Sequence, residues 1–176
     1  MPLDPALGPG DHALGPDDAR VVLVHYGDFE CPYSFDVQKV VREVRETFPD
    51  AVRLVVRHFP LRYHANALRA AIASEEAARQ GQFWAFHDRL YANQLQLRAD
   101  QLVAHAADLG LDADAVQAAL DAETGKAEIL AQKKAGVASG VRSTLNLWID
   151  GELFEEDDLE EALVSRVIEP LKRAKA

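Results

Sequence analysis

The chain has 176 residues, 29 acidic and 19 basic side chains, a formal charge of −10 and a mean hydropathy of −0.17. Apolar residues make up 48% and charged residues 27% of the chain, a composition that excludes a disordered protein. The acidic balance argues against nucleic-acid partners, whose phosphates need clustered Lys and Arg. No apolar stretch is long enough to span a bilayer, so we expect no membrane insertion.

The chain carries one cysteine, Cys31, which excludes an internal disulfide and an all-cysteine metal site within one chain. Residues 1–18 are rich in proline and glycine and predict an extended N-terminal arm before a single domain at 19–176. The first residues lack a basic segment followed by an apolar one, so the expected location is cytoplasmic. A periplasmic or membrane-tethered location is the alternative if the chain is a processed or excised domain.

The first third of the chain predicts a strand, a helix and a second strand. The β-branched run VVLVHY at 21–26 is typical of a buried strand. Apolar residues recur at helical spacing over 37–48, and Pro49 ends that helix. Residues 52–57 form the second predicted strand. Strands on either side of a helix favour a parallel βαβ unit.

The middle of the chain, at about 62–139, holds most of the alanines and predicts an inserted helical sub-domain, because alanine has the highest helix propensity. Breaks are expected at Gly81, around 93–98, at Gly110 and at Gly125. These breaks divide the segment into four or five short helices.

The last part of the chain predicts a β-hairpin and a helix. The run TLNLWI at 144–149 reads as a strand, and Asp150-Gly151 is a strong two-residue hairpin turn. A final helix is expected at about 157–172. The order β-α-β, helical insert, β-β-α is that of an α/β protein with a thioredoxin fold, with helices placed between its two halves.

Short motifs follow one another along nearly the whole chain. They are DFECPY at 28–33, RHFPL at 57–61 with His64, QGQFW at 80–84, HD at 87–88 and SGVR at 139–142. Their order and spacing resemble those of the DsbA-like thioredoxin-fold family, in the sub-group that also occurs fused to bacterial Na+/H+ antiporters. The resemblance implies thiol–disulfide oxidoreductase chemistry at Cys31.

Three positions depart from the family pattern. Ser34 stands where the family has its second active-site cysteine, and Leu145 stands at the family's cis-proline. His25 stands where the family commonly carries Glu or Asp. A cis peptide before a non-proline residue costs about 3–4 kcal/mol, against roughly 0.5–1 kcal/mol before proline. We therefore expect a trans Thr144–Leu145 bond, which would reshape the surface facing the cysteine.

The predicted position of Cys31, at the N-terminus of a helix, favours the nucleophilic thiolate. The Ser34 hydroxyl can donate a hydrogen bond to that thiolate, whereas Asp28 and Glu30 oppose it by their charge. We expect an accessible thiol. Because Ser34 cannot attack a mixed disulfide, release has to come from an external thiol, which defines monothiol chemistry.

His25 has two interpretations: a proton shuttle for Cys31, or a neutral buried histidine with a structural hydrogen bond. A metal site is not expected, because Cys31 and His25 supply two ligands and zinc needs three or four. No cofactor is expected, although glutathione is a possible co-substrate.

The first hypothesis is a monothiol enzyme that acts on protein or peptide thiols and disulfides. Its catalytic residues would be Cys31, Ser34 and His25, and its substrate contacts Phe29, Pro32, Tyr33, Thr144 and Leu145. The alternative is a catalytically degenerate thioredoxin-fold module that binds a protein partner through the same groove.

Overall fold

A computed structural model describes residues 3, 6–8, 10–154, 161 and 163–175. The elements in chain order are β1 His12–Leu14, β2 Val21–Gly27, α1 Pro32–Thr47, β3 Val52–His58, α2 Ala67–Arg79, α3 Phe83–Ala92, α4 Ala99–Asp108, α5 Ala113–Asp121, α6 Lys126–Ala138, β4 Leu147–Ile149, β5 Glu152–Phe154, a π-helical segment Val164–Ile168 and α7 Glu169–Lys175. In this part of the chain, no helix combines the length and the apolarity needed to cross a bilayer.

The chain divides into two compact units. The sheet unit comprises the described parts of residues 1–26, 33–57 and 135–176, and the helical unit comprises 27–32 and 58–134. From β2 onwards the order is β-α-β, five helices, β-β-α, which confirms the predicted α/β class, a thioredoxin fold with inserted helices.

The sheet has the strand order β1-β3-β2-β4-β5. At the start of the central pair, the Val21 N–H donates to the Ala51 carbonyl at 3.0 Å, and at its end the Phe59 N–H donates to the Gly27 carbonyl at 2.8 Å. The N-terminal ends of β2 and β3 are thus paired with each other, and so are their C-terminal ends. The two strands therefore run parallel, which confirms the βαβ unit. The pairs β1–β3, β2–β4 and β4–β5 are antiparallel.

Part of the predicted N-terminal arm belongs to the sheet. Residues His12–Leu14 form β1, with His12 opposite Val56 of β3. The preceding residue, Asp11, accepts hydrogen bonds from Nε and Nη2 of Arg57 at 2.7 and 2.9 Å. Arg57 is buried, so this ion pair and the strand pairing together fix the segment on the sheet.

The strand predicted at 144–149 is too long, since β4 spans Leu147–Ile149. The side-chain oxygen of Asn146 accepts hydrogen bonds from the N–H groups of Arg142 and Ser143, at 2.8 and 3.0 Å. These bonds hold a turn where the β-branched pattern predicts extended backbone. The hairpin turn at Asp150 and Gly151 is confirmed, with φ of 50° and 84°.

The helical unit contains α2 to α6, which confirms the short helices and their predicted breaks. Gly110 follows α4 with φ of 72°, a left-handed conformation that favours glycine. The next N–H, of Leu111, then donates to the Ala106 carbonyl at 3.0 Å. The core of this unit contains large side chains such as Phe86 and Leu90.

The last helix is confirmed within the described residues. Residues 161 and 163 are helical, the π-helical segment follows, and α7 ends at Lys175. The predicted start of that helix, near residue 157, lies outside the described residues.

Gly136 lies inside α6 where a methyl group has no room. A Cβ placed there would be 2.7 Å from Cε1 of Tyr26. The ring is buried, and its hydroxyl accepts a hydrogen bond from Arg57 at 3.0 Å, so it cannot easily move aside. The short contact, and not helix propensity, should therefore decide the effect of a substitution at this position.

We expect Gly136→Ala to lower the free energy of unfolding by about 1–3 kcal/mol, the usual cost of overpacking. In an exposed helix the same change would stabilise by up to about 1 kcal/mol. The measurement is urea denaturation. The control is Gly10→Ala, where a Cβ meets nothing within 4 Å and little change is expected. A more stable Gly136→Ala variant would contradict the packing described.

Candidate active site around Cys31

Cys31 is the residue immediately before α1, whose first residue is Pro32. Proline suits this first position because its missing N–H would have no partner inside the helix. The Cys31 N–H donates to the Asp28 carbonyl at 3.1 Å, which closes a tight loop after β2. Cys31 is 2% exposed, so the expectation of an accessible thiol is wrong for this conformation.

The carboxylate of Asp28 is the main support of this loop. Its Oδ1 accepts the Glu30 N–H at 2.8 Å. Its Oδ2 accepts the Leu61 N–H and the Nδ1–H of His64, each at 2.8 Å. The side chain is fully buried, with 0% of its surface exposed. A buried carboxylate needs several donors, and these three join the cysteine loop to the segment that follows β3.

Glu30 ties the same loop to α2. Its Oε2 accepts the N–H of Asn66 at 2.7 Å, and its Oε1 accepts the side-chain amide of Asn66 at 3.2 Å. Asn66 immediately precedes α2. The acid therefore satisfies a donor at the start of a helix, where negative charge is favoured.

Gln94 is a third support, from the connection between α3 and α4. Its Nε2 donates to the carbonyl of Phe29 at 2.8 Å and to that of Cys31 at 2.9 Å. One glutamine in a loop carries no spacing signal, so sequence reasoning does not single out this residue. It nevertheless fixes the backbone of the cysteine itself.

The motif predicts that Phe29 contacts substrate, but the structure places it in the core of the helical unit. The side chain is 3% exposed. Its ring centroid lies 5.0 Å from that of Tyr91, 5.7 Å from that of His87 and 6.1 Å from that of His58. An aromatic ring enclosed in this way stabilises the loop by packing, and it presents no free face.

The structure brings His25 and Thr144 together within the sheet unit. Nε2 of His25 donates to the Thr144 carbonyl at 3.0 Å, while the Gln38 amide donates to Nδ1 at 2.7 Å. With the Gln38 amide in this orientation, Nε2 is the donor and Nδ1 the acceptor of the ring. Gln38 could have been noticed in the sequence, since it lies beside Val37 on the buried face of α1.

The other predicted residues differ in exposure. Ser34 is buried and Thr144 is 2% exposed, whereas Leu145 is half-buried. Pro32 is exposed, and Tyr33 is 58% exposed. Tyr33 and Pro32 are therefore open to a partner, while the catalytic roles of Ser34 and His25 stay predictions.

One lysine of the helical unit is coupled to Asp28. Lys133 donates to the Pro60 carbonyl at 2.5 Å, and its ammonium lies 5.5 Å from the centroid of the Phe59 ring. Burial lowers the pKa of Lys133 below its ordinary value, and the negative charge of Asp28 partly offsets that effect. The cation therefore supports the buried carboxylate from α6.

The fold and the cysteine loop together define a thioredoxin-fold protein with one cysteine at the start of its first helix. A family model described as thioredoxin matches residues 8–169. The chain belongs to the DsbA-like thioredoxin-fold family, as its motifs predicted.

Two solved structures have the same fold over most of their length. BdbD from Bacillus subtilis, in its oxidised form, has a TM-score of 0.80 and 21% identity, and the match covers 93% of this chain and 94% of that one. A thioredoxin-like oxidoreductase from Silicibacter pomeroyi DSS-3 has a TM-score of 0.77 and 25% identity, with 94% of each chain covered.

Relatives of known sequence include much longer proteins. The Na(+)/H(+) antiporter NhaA of Herminiimonas arsenicoxydans is 38% identical over 150 residues, which cover 85% of this chain and 23% of that protein. NhaA 3 of Salinispora tropica is 40% identical over 152 residues, or 86% of this chain and 23% of that protein. The chain thus spans about a quarter of the length of these relatives.

We expect Asp28→Asn to lower the free energy of unfolding by about 1–3 kcal/mol, the usual cost of an unsatisfied buried group. An amide keeps one acceptor oxygen, so its NH2 group has to face either the Glu30 N–H or the donors of Leu61 and His64. The measurement is urea denaturation at neutral pH.

Asp88→Asn is the matched control, because Asp88 also accepts a hydrogen bond from a histidine, at 2.9 Å, but is 54% exposed. We expect a change below about 1 kcal/mol there. Equal, small losses in the two variants would show that Asp28 does not hold the loop.

Proposed function

We propose that the protein is a thiol–disulfide oxidoreductase of the monothiol type. Cys31 would form mixed disulfides with peptide or glutathione disulfides, and an external thiol would resolve them. The observation that carries the proposal is the placement of the chain's one cysteine directly before the 16-residue helix α1. A helix N-terminus favours the thiolate, which is the nucleophilic form.

The loop that holds Cys31 also supports this proposal. Asp28 and Glu30 engage their carboxylates with backbone and side-chain donors, and Gln94 binds the Cys31 carbonyl. The backbone of the nucleophile is thereby fixed before a substrate arrives, which lowers the entropic cost of reaction. The oxidoreductase from Silicibacter pomeroyi, at 25% identity, has the same fold.

The proposed cycle leaves the total number of disulfide bonds unchanged. The Cys31 thiolate attacks one sulfur of a substrate disulfide, and the other sulfur leaves as a thiolate that takes a proton from water. The external thiolate then attacks the substrate sulfur of the mixed disulfide and releases the Cys31 thiolate. One disulfide is consumed and one is formed, so no outside oxidant is needed. Ser34 would donate a hydrogen bond to the thiolate, in place of a resolving cysteine.

A second candidate function rests on the burial of Cys31. With 2% of the residue exposed, attack on a disulfide requires local opening around the sulfur. If no such opening occurs, the protein is a binding module for a protein partner. Tyr33 and Phe35, which are 58% and 39% exposed near the start of α1, would then supply the apolar contact.

Incubation of the folded protein with oxidised glutathione distinguishes the two candidates. For the enzyme, we expect the intact mass to increase by one glutathione, because Cys31 is the one thiol available. Cys31→Ser is the negative control, and the urea-unfolded chain shows that the reagent is competent. An adduct that forms only after unfolding would rule out the enzyme and leave the binding module.

Ser34→Cys should convert the protein to dithiol chemistry. A sulfur in place of the hydroxyl oxygen keeps the size of the side chain nearly unchanged at this buried position. We expect the glutathione adduct to be replaced by an internal disulfide, so the mass falls by two hydrogens relative to the reduced variant.

Asp36→Cys is the matched control for this experiment. Residue 36 is exposed on the same helix, but a cysteine there is too far along the helix to bridge to Cys31. We expect a glutathione adduct to persist in this variant. A persistent adduct in Ser34→Cys as well would show that position 34 does not face the sulfur.

A further inference from the structure

The helical unit contains a pocket beside Cys31 that none of the steps above uses. Its volume is about 420 Å³, and its lining includes Glu30, Pro32, His64, Gln94 and Arg98. Volumes of ~300–1,000 Å³ are typical of small-molecule sites. Glu30 and Pro32 are the residues on either side of Cys31, and Gln94 donates to the Cys31 carbonyl. A molecule in the pocket would therefore contact both sequence neighbours of Cys31.

His64 gives the pocket a group that can exchange a proton. Its Nδ1–H donates to the buried carboxylate of Asp28 at 2.8 Å, and its side chain is 17% exposed. In the neutral ring this leaves Nε2 as the acceptor nitrogen. Among the described residues, no hydrogen bond reaches Nε2. An imidazole oriented by a carboxylate is the usual arrangement of a general base.

The other lining groups indicate the chemistry of the ligand. The Arg98 guanidinium is 66% exposed and lies 3.2 Å from Asp100, so its remaining donors can meet a ligand carboxylate. Leu95, which is 98% exposed, adds apolar surface. The carboxylate of Glu30 is already bound to Asn66. Together these groups fit a small thiol that carries a carboxylate, such as glutathione.

We propose that this pocket binds the external thiol that resolves the mixed disulfide, and that Nε2 of His64 accepts its proton. The inference rests on the proposed function, since a monothiol enzyme needs a second thiol. The thiol gives its proton to Nε2, and the resulting thiolate attacks the substrate sulfur. Cys31 then leaves as a thiolate, and the imidazolium of His64 returns its proton to water. The titratable and charged groups around His64 in this step are Asp28, Glu30, Arg98 and, through Asp28, Lys133. Tyr63 is a further one, since its ring centroid lies 4.6 Å from that of His64.

The test begins from the isolated Cys31–glutathione mixed disulfide and follows its loss by intact mass. The resolving thiol is either glutathione, which is mainly protonated at neutral pH, or 4-mercaptobenzoate, an acidic arylthiol that is mainly ionised there. For His64→Gln we expect the rate with glutathione to fall at least about tenfold, because general-base catalysis usually contributes more than that. The rate with the arylthiol should change less than about twofold, because that thiol has no proton to lose. The arylthiol rate also reports any damage to the loop, because loss of the bond to Asp28 would slow the reaction of both thiols.

Arg98→Ala is a second, exposed variant that should leave the fold intact. We expect a higher half-saturating glutathione concentration in this variant, with no change for uncharged 2-mercaptoethanol. Arg69→Ala, an exposed arginine of α2 outside the pocket lining, is the matched control and should behave as the unmodified protein.

The outcomes separate this inference from the proposed function. Equal losses of rate with both thiols in His64→Gln would mean that His64 has a structural role, and would overturn its role as general base. An unchanged rate with glutathione would overturn that role as well. An unchanged half-saturating glutathione concentration in Arg98→Ala would overturn the proposal that the pocket binds the resolving thiol. If the unmodified protein forms no glutathione adduct at Cys31, the proposed function fails and this inference fails with it.

Discussion

The candidate site depends on one buried carboxylate. Asp28 accepts three hydrogen bonds of 2.8 Å, from the Glu30 N–H, the Leu61 N–H and Nδ1 of His64. A carboxylate removed from water is costly unless its oxygens are filled, so the loop before α1 and the segment after β3 are held together. That single constraint holds the loop that carries Cys31 to the start of α1. It also fixes the ring of His64, which lines the adjacent pocket and whose Nε2 has no hydrogen bond within the described part of the chain.

One cysteine in this chain excludes dithiol exchange within it. In the proposed function, Ser34 cannot attack a mixed disulfide on Cys31, so the lifetime of that species would depend on a second thiol. The pocket lined by Glu30 and Arg98, in the same unit as Cys31, is the place we propose for that thiol. His25, for which the sequence allows either a proton shuttle or a structural hydrogen bond, has partners in Thr144 and Gln38.

The fold could be predicted because its signals are local: β-branched runs, a helical apolar stripe, and glycines such as Gly110 where helices end. The prediction that a strand begins at residue 144 was wrong, because the side chain of Asn146 binds backbone N–H groups and holds a turn there. The pattern of hydrophobic residues carries no information about such side-chain hydrogen bonds. The motif predicted the position of Cys31, but its burial depends on long-range packing. Gln94 and His64 acquire their roles only through contacts distant in sequence, so one sequence could not reveal them.

The most direct test of the account is the alkylation rate of Cys31 by iodoacetamide at ~pH 6, compared between the folded protein and the urea-unfolded chain. An ordinary thiol is almost entirely protonated there, since its pKa is about 8.5. If the start of α1 holds a reactive thiolate that local opening makes accessible, the folded protein reacts faster than the unfolded chain. A cysteine that reacts only once the chain is unfolded would contradict the account and leave a binding module in its place.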